Sequence, residues 1–145
     1  MRIATLISTA ALLFASHAYA FDQVFFAEPR DGGEVVSPFK IRFGVQGLKV
    51  STAGDMTPGT GHHHLIINGT SVAQGESVPF DQQHLHFGKG QTETELNLPT
   101  GEYTLTMQFG NGAHQSYGPD ISRTIHIKVI AERDAQPVKI NASYQ

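Results

Sequence analysis

The chain has 145 residues, with 10 Lys+Arg against 13 Asp+Glu, a formal net charge of −3 and no cysteine. The acidic balance argues against nucleic acid or an anionic membrane surface as a partner. The missing cysteines exclude disulfide staples, thiolate nucleophiles, thioether lipid anchors and sulfur-rich metal sites of the cysteine kind.

The first twenty residues read as a signal peptide. Arg2 gives a positive start, Ile3 to Ala15 is almost wholly apolar or small, and Ala18-Tyr19-Ala20 supplies a small-x-small cleavage site before Phe21. A permanent bilayer anchor needs about 20 apolar residues, more than this run offers. An exported protein without a membrane anchor is expected, in the periplasm or secreted. The leader carries one of the 10 basic residues and none of the 13 acidic ones, so its removal moves the net charge from −3 to about −4. Residues 21–130 have the length of one domain with one core, and 131–145 form a polar C-terminal tail.

In chain order the pattern is β throughout. Phe21 to Ala27 is aromatic and β-branched, and Pro29, Asp31, Gly32 and Gly33 break it. Phe39, Ile41, Phe43 and Val45 alternate with Lys40, Arg42, Gly44 and Gln46, as a half-buried strand does. Residues 51–61 are a Gly/Pro/Ser/Thr loop. His63 to Ile67 reads as a strand, and Asn68-Gly69 after it is a two-residue hairpin signal, because both residues tolerate positive φ. Gln83 to Phe87 is short and alternating. Thr94, Leu96 and Leu98 then alternate with polar neighbours, and Pro99-Thr100-Gly101 turns into a strand with Tyr103, Leu105, Met107 and Phe109 facing inward. Tyr103, near the start of that strand, suits a tyrosine corner. The last strand, about Ile121 to Ile130, turns Ile125, Ile127 and Val129 inward. No helical periodicity follows the leader. An all-β domain is therefore expected, a single immunoglobulin-like antiparallel β-sandwich of about seven strands.

Chemistry concentrates in histidine. Residues 21–145 hold seven histidines, at positions 62, 63, 64, 84, 86, 114 and 126. Side chains alternate faces along a strand, so His84 and His86 point the same way, about 6.6 Å apart at Cα. Two imidazoles at that spacing can converge on one ion, with bonds of about 2.0–2.1 Å. The same parity puts His62 and His64 on one face and sends His63 to the side of Leu65 and Ile67, toward the core. His114, beside Asn111-Gly112, can close a site from a third segment. His62, His63, His64, His84, His86 and His114 are thus candidate metal ligands. Imidazole-only sites suit copper, zinc or nickel, and geometry decides among them. Met107 belongs to the core, Met56 offers a lone thioether in a polar loop, and His126 faces outward on the last strand. Asp55, Asp81 and Glu93 are the nearest carboxylates in sequence, available as hydrogen-bond partners behind ligating rings. No nucleophile elbow, zincin helix motif or phosphate loop occurs in the chain.

PGTGHHHLIING (58–69), HLHFGKGQTETELNLPTGEYTLTMQFG (84–110) and VFFAEPRDGGEVVSPFKIRFGV (24–45) together resemble a family of small secreted bacterial domains, catalogued as domain of unknown function 4399. The resemblance runs from about Val24 to Val129. It implies an exported β-domain whose signature positions fall on His62, His63, His64, His84, His86, Gln91 and Glu93, the last two as polar partners of the histidines. It implies no activity. Similar sequences often carry histidine where this chain has Gln83, and more histidine after Phe109, so any family site using those positions is reduced here. Three function classes follow from the sequence. The favoured one is an exported histidine-rich protein that buffers or delivers copper or zinc, to a periplasmic protein partner not identifiable from sequence. The second is a non-catalytic structural or interaction domain with a histidine hydrogen-bond network. The third is a superoxide-dismutase-like metalloenzyme.

Overall fold

The computed structural model describes residues 21–135, so the expected signal peptide and the chain beyond 135 lie outside it. The described chain is all-β. Nine strands run in order: β1 (Gln23–Glu28), β2 (Gly33–Val36), β3 (Phe39–Gln46), β4 (Lys49–Val50), β5 (Thr60–Ile67), β6 (His84–His86), β7 (Glu93–Leu96), β8 (Gly101–Gly110) and β9 (Ser122–Ile130). The only helical pieces among the described residues are two 3-10 turns, Pro119–Ile121 and Glu132–Asp134.

The strands make two sheets. One has three strands in the order β1-β3-β7, and the other six, in the order β2-β9-β8-β5-β4 with β6 also on β5. This differs from the sequence expectation in two respects. Nine strands replace about seven, because β2 and β4 are too short to show a period. The pairing is also not wholly antiparallel: β2 runs parallel to β9, and β4 parallel to β5.

Strand parity builds the core. Phe39, Ile41 and Phe43 of the small sheet face Leu65, Leu105, Met107, Phe109, Ile125, Ile127 and Val129 of the large one, in a single buried cluster. Each such side chain contributes about 1.5–3 kcal/mol by leaving water. Tyr103 does form the corner its position suggests, its hydroxyl donating to the Pro99 carbonyl at 3.0 Å.

A third departure positions the site. Asn68 takes the left-handed conformation (φ 55), yet no two-residue hairpin follows. Its amide donates to the Thr104 carbonyl and its Oδ1 accepts from the Thr104 amide, so Asn68 ends β5 against β8 instead of turning into a partner strand. Residues 70–83 then cross the outer face of the large sheet as a strap before β6 returns to the other edge of β5.

Gln108 fastens that strap. It lies on the nominally outward face of β8 and is fully buried. Its Oε1 accepts from the Val72 amide at 3.0 Å, while its Nε2 donates to the Gly118 carbonyl at 3.0 Å. Ser116 adds a bond from its hydroxyl to the Val72 carbonyl. Both faces of β5 are covered as a result. Gln108→Leu keeps the volume but leaves the Val72 amide without its partner and the Gly118 carbonyl with the Ile121 amide alone, an expected loss of about 1–3 kcal/mol in urea unfolding. A variant as stable as wild type would show that the clasp contributes nothing.

Candidate metal centre

β5 carries the histidine triplet with both of its faces buried, and parity sorts the rings as the alternation requires. His63 points into the core, stacked on Phe43 at 5.1 Å between ring centroids and edge-on to Phe109 at 5.1 Å. His62 and His64 point the other way, under the strap. β6 pairs with the far end of β5 and sets His86 opposite His64. The 111–115 turn brings His114 over the same spot. The result is four rings around one point, with centroid separations from 4.5 Å (His86–His114) to 6.0 Å (His64–His114).

One nitrogen from each of His62, His64, His86 and His114 lies within 4.8 Å of the other three. His86 Nε2 and His62 Nε2 are 3.0 Å apart, and His62 Nε2 and His114 Nδ1 are 3.3 Å apart. Nitrogens bound at about 2.0–2.1 Å to a tetrahedral ion sit about 3.4 Å apart. The donor set therefore fits a divalent ion in size and in chemistry, and its spread does not choose between copper and zinc.

The electrostatics favour the ligating form. Burial, then the neighbouring His86 and His114, hold His62 down to about 4. Burial, then the other rings of the cluster, hold His64 down to about 3. His86 is lowered by burial and then by His114. Such rings are neutral at neutral pH, and a metal needs the neutral imidazole. As a purely internal network the group is incomplete. His62 Nδ1 and His64 Nδ1 are buried without a hydrogen-bond partner, a condition that native structures seldom tolerate.

Glycines make the room. A Cβ on Gly110 would come within 2.8 Å of His64 Cε1, and one on Gly88 would overlap the His86 ring, 2.7 Å from its Nε2. Gly88→Ala should therefore tilt His86 out of the group and weaken metal binding by about 10–100-fold, the range seen when support behind a ligand is lost. Titration calorimetry checks this, and unchanged affinity would mean that His86 has other room.

The remaining sequence candidates lie elsewhere. His63 and His84 are outside the converging group. His63 is in the core with neither ring nitrogen partnered. His84 shares the face of His86 but turns its Nδ1 to Asp81 Oδ1 at 2.7 Å. That contact, followed by the Gln83 amide, lowers the Asp81 carboxyl. Gln91 accepts from the Lys89 amide. Glu93 sits on the small sheet, 3.9 Å from Arg42. Neither is hydrogen-bonded to the four rings: Gln91 closes its own turn at Lys89, and Glu93 goes with β7, which pairs with β3 rather than with β5 or β6. Asp55 caps its own loop at the Thr57 amide, and Met56 is exposed. His126 faces solvent 3.6 Å from Asp31, in the lining of a cleft of about 400 Å³ over the large sheet, with Glu102 and Lys128. The glycine cradles at 88 and 110 escape sequence reasoning, since their necessity appears only when ring positions are known.

No curated protein matches the chain. Among solved structures it is similar to the endo-beta-1,4-mannanase from Thermotoga petrophila, at 20% identity and a TM-score of 0.48. That likeness covers 81% of this chain and 22% of the enzyme, so the chain spans about a fifth of that protein's length. The family model described as Domain of unknown function (DUF4399) matches residues 41–130, which include all four converging histidines, and the chain belongs to this family.

Proposed function

We propose that the protein is an exported metal-binding protein, of the periplasm or secreted, that holds one copper or zinc ion with His62, His64, His86 and His114 and serves to buffer or deliver it. One observation supports this most: four imidazoles from three separate segments turn their nitrogens to one point, within 4.8 Å of each other. Packing alone has no reason to bring four such lone-pair donors together, and no carboxylate belongs to the group. The expected leader supports the compartment.

A histidine network that pins the loops is the second reading. The contacts of His62 Nε2 with His86 and His114 favour it. Elemental analysis and titration calorimetry of the tag-free protein with Cu²⁺, Zn²⁺ and Ni²⁺ separate the two. One tight equivalent is expected. Binding no tighter than that of a control protein with scattered histidines would leave the network reading.

A further inference from the structure

The four nitrogens are unequally enclosed. His62 and His64 are 0% and 2% exposed on the doubly covered β5, whereas His86 and His114 are only partly buried. Beside them opens a cleft of about 390 Å³, lined by His64, His86 and His114, by residues 77–80 of the strap and by Ala113. His62 does not reach it. A water molecule's share of volume is about 30 Å³, so this space admits a ring-sized ligand as well as solvent.

The cleft's chemistry selects among ligands. Val78, Pro79, Phe80 and Ala113 give it apolar walls, and no lysine, arginine or carboxylate lines it. An anion would find no charged side chain there to hold it. The Phe80 ring is 87% exposed and stands edge-on to His86, with centroids 6.2 Å apart, which offers a flat donor an aromatic wall. The backbone at the mouth is held in an unusual state. His114 has φ 61, a left-handed conformation uncommon for a residue with a side chain. Asn111 maintains it, its Oδ1 accepting from the Ala113 and Gln115 amides, while the Val78 amide donates to the His114 carbonyl. Strain kept in place by its surroundings is found at functional sites, and here it aims a ligand ring from the rim of the cleft.

We propose that this cleft is an open coordination port, through which a neutral nitrogen donor of the imidazole class, such as a histidine side chain of an incoming carrier, reaches the bound ion on the side of His86 and His114. The inference rests on the metal-binding reading above, and it makes the site one for exchange rather than a closed structural centre. The donor adds as a ligand through its lone pair, and no oxidation is involved.

The test starts from protein loaded with Cu²⁺, with occupancy measured first. Free imidazole is then titrated in, and the copper electron paramagnetic resonance spectrum is recorded. Wild type should show saturable addition of one imidazole per ion, with azide weaker. Ser77→Phe, which fills the cleft, should weaken the addition at least tenfold at unchanged copper content and melting temperature. Ala113→Phe, also in the lining, takes its place should Ser77→Phe fail to fold. Phe80→Ala removes the aromatic wall and should weaken the addition several-fold at unchanged copper content. A wild-type protein that holds one ion with a spectrum insensitive to imidazole overturns the port and leaves the metal site standing. So does a filled variant that binds imidazole like wild type, and tighter azide binding overturns the ligand class. A wild type that retains no copper overturns the port as a copper exchange site, and one that retains neither copper nor zinc overturns both proposals.

Discussion

Replacing His86 and His114 together by alanine should abolish tight Cu²⁺ or Zn²⁺ binding while the domain still folds. Both rings are only partly buried and lie on the cleft side of the group, away from the core cluster. Their loss leaves His62 and His64, two donors on one strand, with half the coordination shell. Losing a hydrogen-bond partner behind a single ligand costs about 10–100-fold in affinity, and removing two ligands should exceed that range. His84→Ala is the matched control. Its ring is engaged by Asp81 and lies outside the group, so the affinity should stay near wild type. Titration calorimetry together with far-ultraviolet circular dichroism reads both. Stoichiometric tight binding by the folded double variant would remove these two histidines from the site.

Acid should unfold the metal-free protein well above the pH at which its carboxylates protonate. In the folded chain His62 and His63 are held down to about 4 and His64 to about 3, with burial the first cause in each case. Unfolded imidazoles take up protons near 6.5. Between 6.5 and about 4 the unfolded state therefore binds more protons than the folded one, and stability falls as the pH falls. Above 6.5 both states are neutral and this dependence vanishes. The slope is at most about 1.4 kcal/mol per pH unit for each imidazole. His63→Phe sharpens the test. Both ring nitrogens of His63 are buried without partners, and an orphaned polar group costs about 1–3 kcal/mol. Phenylalanine keeps the stack on Phe43, so the variant should be more stable at pH 7.5 by about that amount and show a shallower acid slope. Urea midpoints at pH 5 and 7.5, after chelator treatment, measure both effects. Equal midpoints at the two pH values would mean that the triplet is not held neutral.

Much of this was legible in the sequence because period two in a strand is a strict rule. Leu65 and Ile67 fixed which side of β5 was core, and that alone separated His63 from His62 and His64. The alternation in 101–110 and 122–130 likewise marked the inner faces of the two longest strands. What stayed hidden depended on long-range partners. Asn68-Gly69 has the local chemistry of a hairpin, but the Thr104 backbone claims Asn68 and the chain departs across the sheet. Gln108 reads as a solvent-facing residue in an alternating strand. Only the strap above it, 36 residues earlier in sequence at Val72, makes it a buried clasp. His84 and His86 are equivalent by parity, and Asp81 alone distinguishes them.

The way β4 and β6 share one edge of β5 also bears on how the protein behaves when crowded. β4 covers Thr60 and Gly61, β6 covers His64 to Ile66, and the Phe87 amide reaches the His63 carbonyl between them. An unprotected edge strand is a template for pairing with another chain, and very short edge strands blunt that hazard. The longest covering strand here has three residues. The most buried and most histidine-rich strand of the described chain is thus capped by pieces too short to recruit a neighbour. Such a chain can accumulate at high concentration without polymerising through this edge.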